Sequence, residues 1–203
     1  MMKFNHAFVV TGTIGSGKST FLNLLKMYGF EVIDADEISH EELEACKDEV
    51  VRKFGEEILS FDKIDRKKLG AIVFNDKSAL KWLENLLHPR IDAKIYELCN
   101  KLESKNLPYF VDIPLYFEGL GKTKFNYVVV VYAPVKTLID RIMKRNGLSH
   151  EEAKNRIELQ MDIEKKREMA DFVIDNSGNL KDLQAQVDGF LRNLKGTYES
   201  IEV

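Results

Sequence analysis

Cysteine and net charge are both scarce in this chain, and each scarcity excludes something. Two cysteines among 203 residues, Cys46 and Cys99, are too few for a disulfide framework and are not spaced as metal ligands. Such sparing use fits a reducing compartment. The 30 Lys+Arg stand against 33 Asp+Glu, a formal net charge of −3, so a basic nucleic-acid coat is not the main feature. No stretch approaches the roughly 18 apolar residues that a bilayer span needs. The longest apolar run reaches only from Tyr127 to Val135. The N-terminus, Met1-Met2-Lys3-Phe4-Asn5-His6, carries one Lys, and the apolar stretch behind it is broken at once by Gly12, Gly15 and Gly17. It does not read as a secretory signal. Internal repeats, low-complexity tracts and Pro-rich linkers are also missing. The expectation is a cytoplasmic protein with no nucleic-acid, membrane or obligate protein partner.

What is present is the composition of one folded domain, 44% apolar and 31% charged, long enough to bury a core without staples. Five short runs rich in Val, Ile and Phe, at residues 7–11, 31–34, 109–113, 127–133 and 172–175, do not alternate cleanly. Strands covered on both faces read this way. Helical patterns separate them. Phe21, Leu25 and Tyr28 share a face, and Gly29 is a plausible stop. A longer helical segment spans residues 37–54. Residues 65–104 hold three helical pieces punctuated by Asn75-Asp76 and His88-Pro89, more than a simple crossover needs. Trp82, Leu83, Leu86 and Leu87 suit the inner face of that insertion. Residues 135–170 form a second helical excursion, split at Asn146-Gly147 by a capping box at Ser149 and Glu152. A last helix covers 180–195. The order predicts an α/β fold with a mainly parallel sheet.

The strongest motif is Gly12-Thr13-Ile14-Gly15-Ser16-Gly17-Lys18-Ser19, followed by Thr20. It has phosphate-loop spacing, with a strand before it and an amphipathic helix after. Its glycines let backbone wrap a phosphate, and its amides and the helix N-terminus point at the anion. Lys18 supplies a cation toward the β- and γ-phosphates, and Ser19 a hydroxyl for Mg²⁺. In Val32-Ile33-Asp34-Ala35-Asp36, two acids follow the second strand, where open parallel sheets bind ligands. Asp36 is either an acceptor for the proton of an attacking hydroxyl or the N-cap of a helix from Glu37, and both roles can coexist. Asp112 closes the third strand, placed to hold Mg²⁺ directly or through water. A turn-forming Asp before Pro114 is the plainer reading. Arg141 and Arg145 lie four apart on one helical face and suit transferring phosphates. A solvated face is their alternative, and Arg156 lies beyond the capping box. His88 before Pro89 reads as a turn or core histidine.

Taken together these stretches resemble the dephospho-CoA kinase family. The resemblance spans nearly the whole chain. It rests on the loop from Thr11 to Thr20, Ile33-Asp34-Ala35-Asp36, Asp65-Arg66-Lys67-Lys68-Leu69, and Leu87-His88-Pro89. Further on it takes in Asp112-Ile113-Pro114-Leu115-Tyr116-Phe117-Glu118, the run from Arg141 to Ser149, Arg156-Ile157-Glu158-Leu159-Gln160 and Ala170-Asp171-Phe172-Val173-Ile174-Asp175-Asn176. The Asp-Ile-Pro-Leu and Ala-Asp-Phe-Val-Ile-Asp-Asn runs are the most specific. The resemblance implies a P-loop fold of the nucleoside-monophosphate-kinase kind. A five-stranded parallel core at 1–60, 105–140 and 168–203 would carry a helical substrate-binding insertion at about 65–104 and a helical lid at about 141–166. It implies ATP-dependent phosphorylation of the ribose 3′-hydroxyl of dephospho-CoA, with Mg²⁺. Gly12, Gly15, Ser16, Gly17, Lys18, Ser19 and Thr20 would bind ATP, and Lys18, Asp36, Arg141 and Arg145 would act in catalysis. Asp36, His88, Pro114 and Leu115 would face the acceptor, and Ser19 and Asp112 the metal.

The chain departs from the family pattern at Lys63, Tyr116, Leu138 and His40, and none of these lies in the phosphate loop. Another P-loop small-molecule kinase would share the fold and loop and differ only at the acceptor site. A switch GTPase fits poorly, since Asp112 is followed by Ile113, Pro114 and Leu115 rather than by a glycine three residues on.

Overall fold

Strands covered on both faces need no polar alternation, and each of the five apolar runs forms a strand. The computed structural model describes residues 4–120 and 125–196. The Met1-Met2-Lys3 stretch and the end of the expected C-terminal core lie outside the described residues. The chain opens with β1 (Phe4–Gly12), α1 (Lys18–Met27), β2 (Val32–Asp34), α2 (Ala35–Ala45) and α3 (Lys47–Phe54). A short hairpin follows, β3 (Leu59–Ser60) and β4 (Lys63–Ile64), then α4 (Arg66–Val73) and α5 (Lys77–Glu103). β5 (Tyr109–Asp112) and β6 (Phe125–Tyr132) lead to α6 (Val135–Asn146), α7 (His150–Glu158) and α8 (Ile163–Glu168). The last elements are β7 (Phe172–Asp175) and α9 (Leu180–Lys195).

Contacts divide the chain into Asp34–Leu98 and a second unit made of everything else, the division falling inside α5. In the larger unit the sheet order is β2-β5-β1-β6-β7, with β1 parallel to β5 and β6, and β6 parallel to β7. β1 is central and its neighbours come from later in the chain, the arrangement that opens a crevice at the carboxyl ends of strands. The register sets Val10 beside Asp112 and Gly12 beside Val131, so the Gly-rich loop leaves from the edge that Asp112 closes. One sheet face is packed by α1 and α9. Phe21, Leu22 and Leu25 meet Leu183, Val187, Phe190, Leu191 and Leu194 over Phe8, Val10, Val129, Val131 and Ile174. The Phe8 ring stacks on Tyr127 at 4.9 Å and meets Phe190 edge-on at 6.2 Å. Each such side chain contributes roughly 1.5–3 kcal/mol on burial. This packing is what holds β1, and therefore the loop at its end, in one place.

The smaller unit has its own core, including Val50, Ile58, Leu69, Val73 and Ile95. Trp82 meets Phe54 edge-on at 5.4 Å, with the Lys53 ammonium 5.9 Å from its ring centre. The unit includes α2, α3 and the hairpin as well as the helices of 65–104.

Several local expectations change. The segment 37–54 breaks at Cys46 into α2 and α3. The three helical pieces of 65–104 are two, because α5 runs straight through Pro89. A proline there removes the bond to the carbonyl four residues back, that of Asn85. Pro89 and Asn85 are both exposed, so the lost bond falls on the solvent-facing side of the helix. His88 is correspondingly an exposed helix residue, neither a turn nor a core histidine. The excursion after β6 holds three helices rather than two, since Asp162 caps α8 by accepting from the Glu164 and Lys165 amides.

Candidate active site

The loop that follows β1 is shaped by glycine at two points of close approach. A Cβ on Gly12 would stand 2.7 Å from the Val131 carbonyl oxygen on β6. Gly17 has φ 88°, and a Cβ there would stand 2.2 Å from Asn176 Nδ2. Gly17 is also the N-cap of α1 and offers no side chain, so the first-turn amides of Lys18 and Ser19 are left for a ligand. Inside the loop, Thr13 Oγ1 and Ser16 Oγ are buried with no hydrogen-bond partner among the described residues. A buried hydroxyl without a partner costs about 1–3 kcal/mol, so two in one loop mark a place where an anion supplies the missing bonds.

Charge is arranged around this cradle. Lys18 Nζ forms an ion pair with Asp112 Oδ1, with both side chains largely shielded from solvent. Asp112 itself is buried at the end of β5. Arg141, on α6, spends its donors on carbonyls: Nη2 reaches Asn176 O at 2.8 Å and Gly178 O at 3.2 Å, and Nη1 lies 3.5 Å from both Gly15 O and Ser16 O. It fastens the phosphate loop to the turn after β7. Asn176 repeats that link, donating from Nδ2 to Ser16 O at 2.7 Å. On the opposite side of the loop, Ile14 N donates to Gln160 Oε1 at 2.9 Å. At the end of β6, Tyr132 donates to Glu164 Oε1 at 2.6 Å, and that bond, with burial, raises the phenol above its usual pKa.

The predicted residues thus separate. Gly12 to Thr20, Lys18, Asp112 and Arg141 come together at one strand edge. Pro114 follows β5, its carbonyl accepting from Thr11 Oγ1 at 2.9 Å, and the neighbouring Leu115 is exposed. Arg145 is exposed and donates from Nε to Asn146 Oδ1 at 3.0 Å. Asp36 and His88 belong to the Asp34–Leu98 unit. The N-cap reading of Asp36 is corrected: Asp34 caps α2, accepting from the Asp36 and Glu37 amides at 2.9 and 3.1 Å. Asp36 is the second residue of that helix, exposed, with its carboxylate free of capping.

Asn176, Gln160 and Lys166, the ion-pair partner of Glu118, were not singled out as site residues by sequence reasoning. For Asn176 a signal existed, because it directly follows the last parallel strand, where ligands gather.

Among the described residues no cluster of three or more His, Cys, Asp or Glu could hold a metal alone. A hydroxyl on Ser19 and one buried carboxylate on Asp112 fit Mg²⁺ instead, which keeps water and substrate phosphates as most of its ligands.

A central parallel strand, a glycine-bounded loop with unpartnered hydroxyls, a loop lysine and a strand-end aspartate define a P-loop nucleotide-binding protein. The sequence profile of the dephospho-CoA kinase family matches residues 7–182, and the chain belongs to that family. It is 45% identical to the dephospho-CoA kinase of Helicobacter pylori over 195 residues, 95% of this chain and 100% of that one. With the enzyme of Wolinella succinogenes it shares 46% over 196 residues, 96% of this chain and 98% of the other. Among solved structures, a Thermus thermophilus protein superposes with TM-score 0.80 at 36% identity, covering 93% of this chain and 97% of that one. Dephospho-CoA kinase from Campylobacter jejuni gives 0.76 at 40% identity, with 97% and 100% coverage.

Proposed function

We propose that this chain transfers the γ-phosphoryl group of ATP to the 3′-hydroxyl of the ribose of dephospho-CoA, giving CoA and ADP, the last step of coenzyme A biosynthesis. Family membership supports the acceptor. The observation that carries the phosphate end is the pair of buried, unpartnered hydroxyls, Thr13 and Ser16, inside the loop.

In this reading the loop amides and α1 N-terminus take the phosphate chain, and Gly12, Gly15, Ser16, Gly17, Lys18, Ser19 and Thr20 form the ATP cradle. Lys18 exchanges part of its pairing with Asp112 for the β- and γ-phosphates. Asp112 then keeps the ammonium aimed along the loop before ATP arrives, which saves ordering it during the reaction. Mg²⁺, held by Ser19 and Asp112, would supply charge neutralisation on the phosphates. Asp36 orients the ribose hydroxyl and takes its proton as the O–P bond forms and the bond to the β-phosphate oxygen breaks, the negative charge leaving with ADP. Arg141 acts by holding loop carbonyls in place. Arg145 closes over the phosphates as the helical lid of about 141–166 moves. Pro114, Leu115 and His88 contact the acceptor. We place the reaction in the cytosol, with no nucleic-acid, membrane or obligate protein partner. Both cysteines are buried and free, and among the described residues no helix is long and apolar enough to cross a membrane.

An acceptor panel of dephospho-CoA, AMP, CMP and shikimate with ATP tests the reading. Rapid ADP release with dephospho-CoA alone is expected, and preferred turnover of any other acceptor would overturn it.

A further inference from the structure

Ile14 sits between Thr13 and Gly15 in the phosphate loop, and its amide is already taken, by Gln160 Oε1 at 2.9 Å. An N–H must meet an oxygen, so this contact fixes which way the Gln160 carboxamide points. Nε2 is left on the other side, and its two hydrogens have no acceptor among the described residues. Thr13 Oγ1 and Ser16 Oγ in the same loop are likewise without partners. Two loop hydroxyls and a carboxamide bonded to the loop backbone therefore have donors to spare.

The segment that carries Gln160 runs between two buried residues, Ile157 and Ile163, and is tied at its middle by charge. Leu159, just before it, is 86% exposed. Met161, just after it, donates its amide to Glu118 Oε1 at 2.9 Å. The same oxygen lies 2.7 Å from Lys166 Nζ, an ion pair whose angles are not those of a hydrogen bond, and Lys166 is completely buried. A buried ammonium without its counter-charge is strongly disfavoured, so α8 and the turn of Tyr116–Leu120 are held together at Glu118. Glu118 thereby fixes residue 161, and residue 160 follows.

We propose that Gln160 is a further phosphate-binding residue: Oε1 holds the Ile14 amide, Nε2 donates to the terminal phosphate of ATP, and the pairing of Glu118 with buried Lys166 sets it in place. The alternative is that Gln160 only steadies the loop. A glutamate would do that equally well, since it can still accept from Ile14, but it has no donor and repels phosphate. Calorimetric binding of ATP and of ADP, without acceptor, to Gln160→Ala and Gln160→Glu separates the two. Gln160→Ala should lose about tenfold in ATP affinity, as expected for a hydrogen bond to a charged group, and less than about twofold for ADP. Gln160→Glu should lose at least as much for ATP. Both should melt within about 2 °C of the parent, because the residue is only half-buried. Wild-type ATP affinity in Gln160→Glu, or equal losses for ATP and ADP in Gln160→Ala, overturns the proposal. It rests on ATP being the donor. Failure of the parent protein to bind ATP removes that reading, whereas an ATP preference that survives in Gln160→Glu removes only this one.

Discussion

Two of the turns that place residues at positive φ in this chain do so with opposite chemistry. The loop after β1 uses glycine, with φ 85° at Gly15 and 88° at Gly17. The tip of the β3–β4 hairpin uses Phe61 and Asp62, at φ 50° and 61°. Two successive left-handed residues in a two-residue hairpin suit Asn-Gly, and a phenylalanine there is strained. At Gly17 the neighbouring Asn176 amide leaves no room for a Cβ, whereas Phe61 projects fully into solvent. Lys47 steadies that tip, its Nζ donating to Asp62 O at 2.7 Å and to Asp62 Oδ1 at 2.5 Å. The contrast separates two reasons for a left-handed residue. One turn is dictated by what must bind there, and the other only by the need to reverse the chain.

If the first turn is built for phosphate, its charge matters most. Lys18→Ala should cost roughly 10²-fold or more in kcat, by analogy with the loss of one preorganised donor. The chain should still fold, with some loss of melting temperature because buried Asp112 loses its counter-charge. A variant with near-normal turnover would break the comparison at its first term.

Asp36→Asn is the next largest. A general base contributes about 10²–10⁴-fold, and a loose phosphoryl transition state puts this one near the low end. Since Asp34 and not Asp36 caps α2, even Asp36→Ala should fold normally, and steady-state kinetics alone decide the matter. Unchanged kcat in Asp36→Ala would leave that carboxylate without a role.

These two substitutions also mark how far the sequence could be read. Buried parallel strands and a Gly-Lys-Ser loop have local patterns strong enough to be seen unaided, so the sheet and the phosphate end were legible. The hairpin was not, because two-residue strands carry no periodicity. Nor was the continuous α5, because Pro89 is an ordinary stop signal until its lost bond is seen to fall on the solvent side. Asp34 and Asp36 both satisfy the rule for an N-cap, and only the amides that Asp34 accepts distinguish them. Gln160 and Asn176 touch the loop across 146 and 160 residues of chain, a separation that no spacing rule spans.

Gly17→Ala attacks the contrast directly. The left-handed backbone alone costs a residue with a Cβ about 1–2 kcal/mol, and contact with Asn176 adds to it. A drop in melting temperature of several degrees is expected, at about 2–4 °C per kcal/mol for a chain of this size, together with weaker ATP binding. A fully stable, ATP-binding Gly17→Ala would show that the loop has room that its geometry denies.

The smallest effect has the opposite sign. Phe61→Asn keeps a side chain at the hairpin tip but replaces a residue that resists left-handed backbone with one that accepts it. Phe61 is fully exposed, so no packing is lost, and the Asp62–Lys47 contacts are untouched. The gain should be about 0.5–1 kcal/mol, a rise of roughly 1–4 °C in melting temperature. Kinetic constants for ATP and acceptor should stay as they are if the tip only reverses the chain. A Phe61→Asn protein that is more stable but weaker in acceptor KM would instead give this exposed ring a binding role. The strain at Phe61 would then be a cost of function, as the glycines are at the phosphate loop.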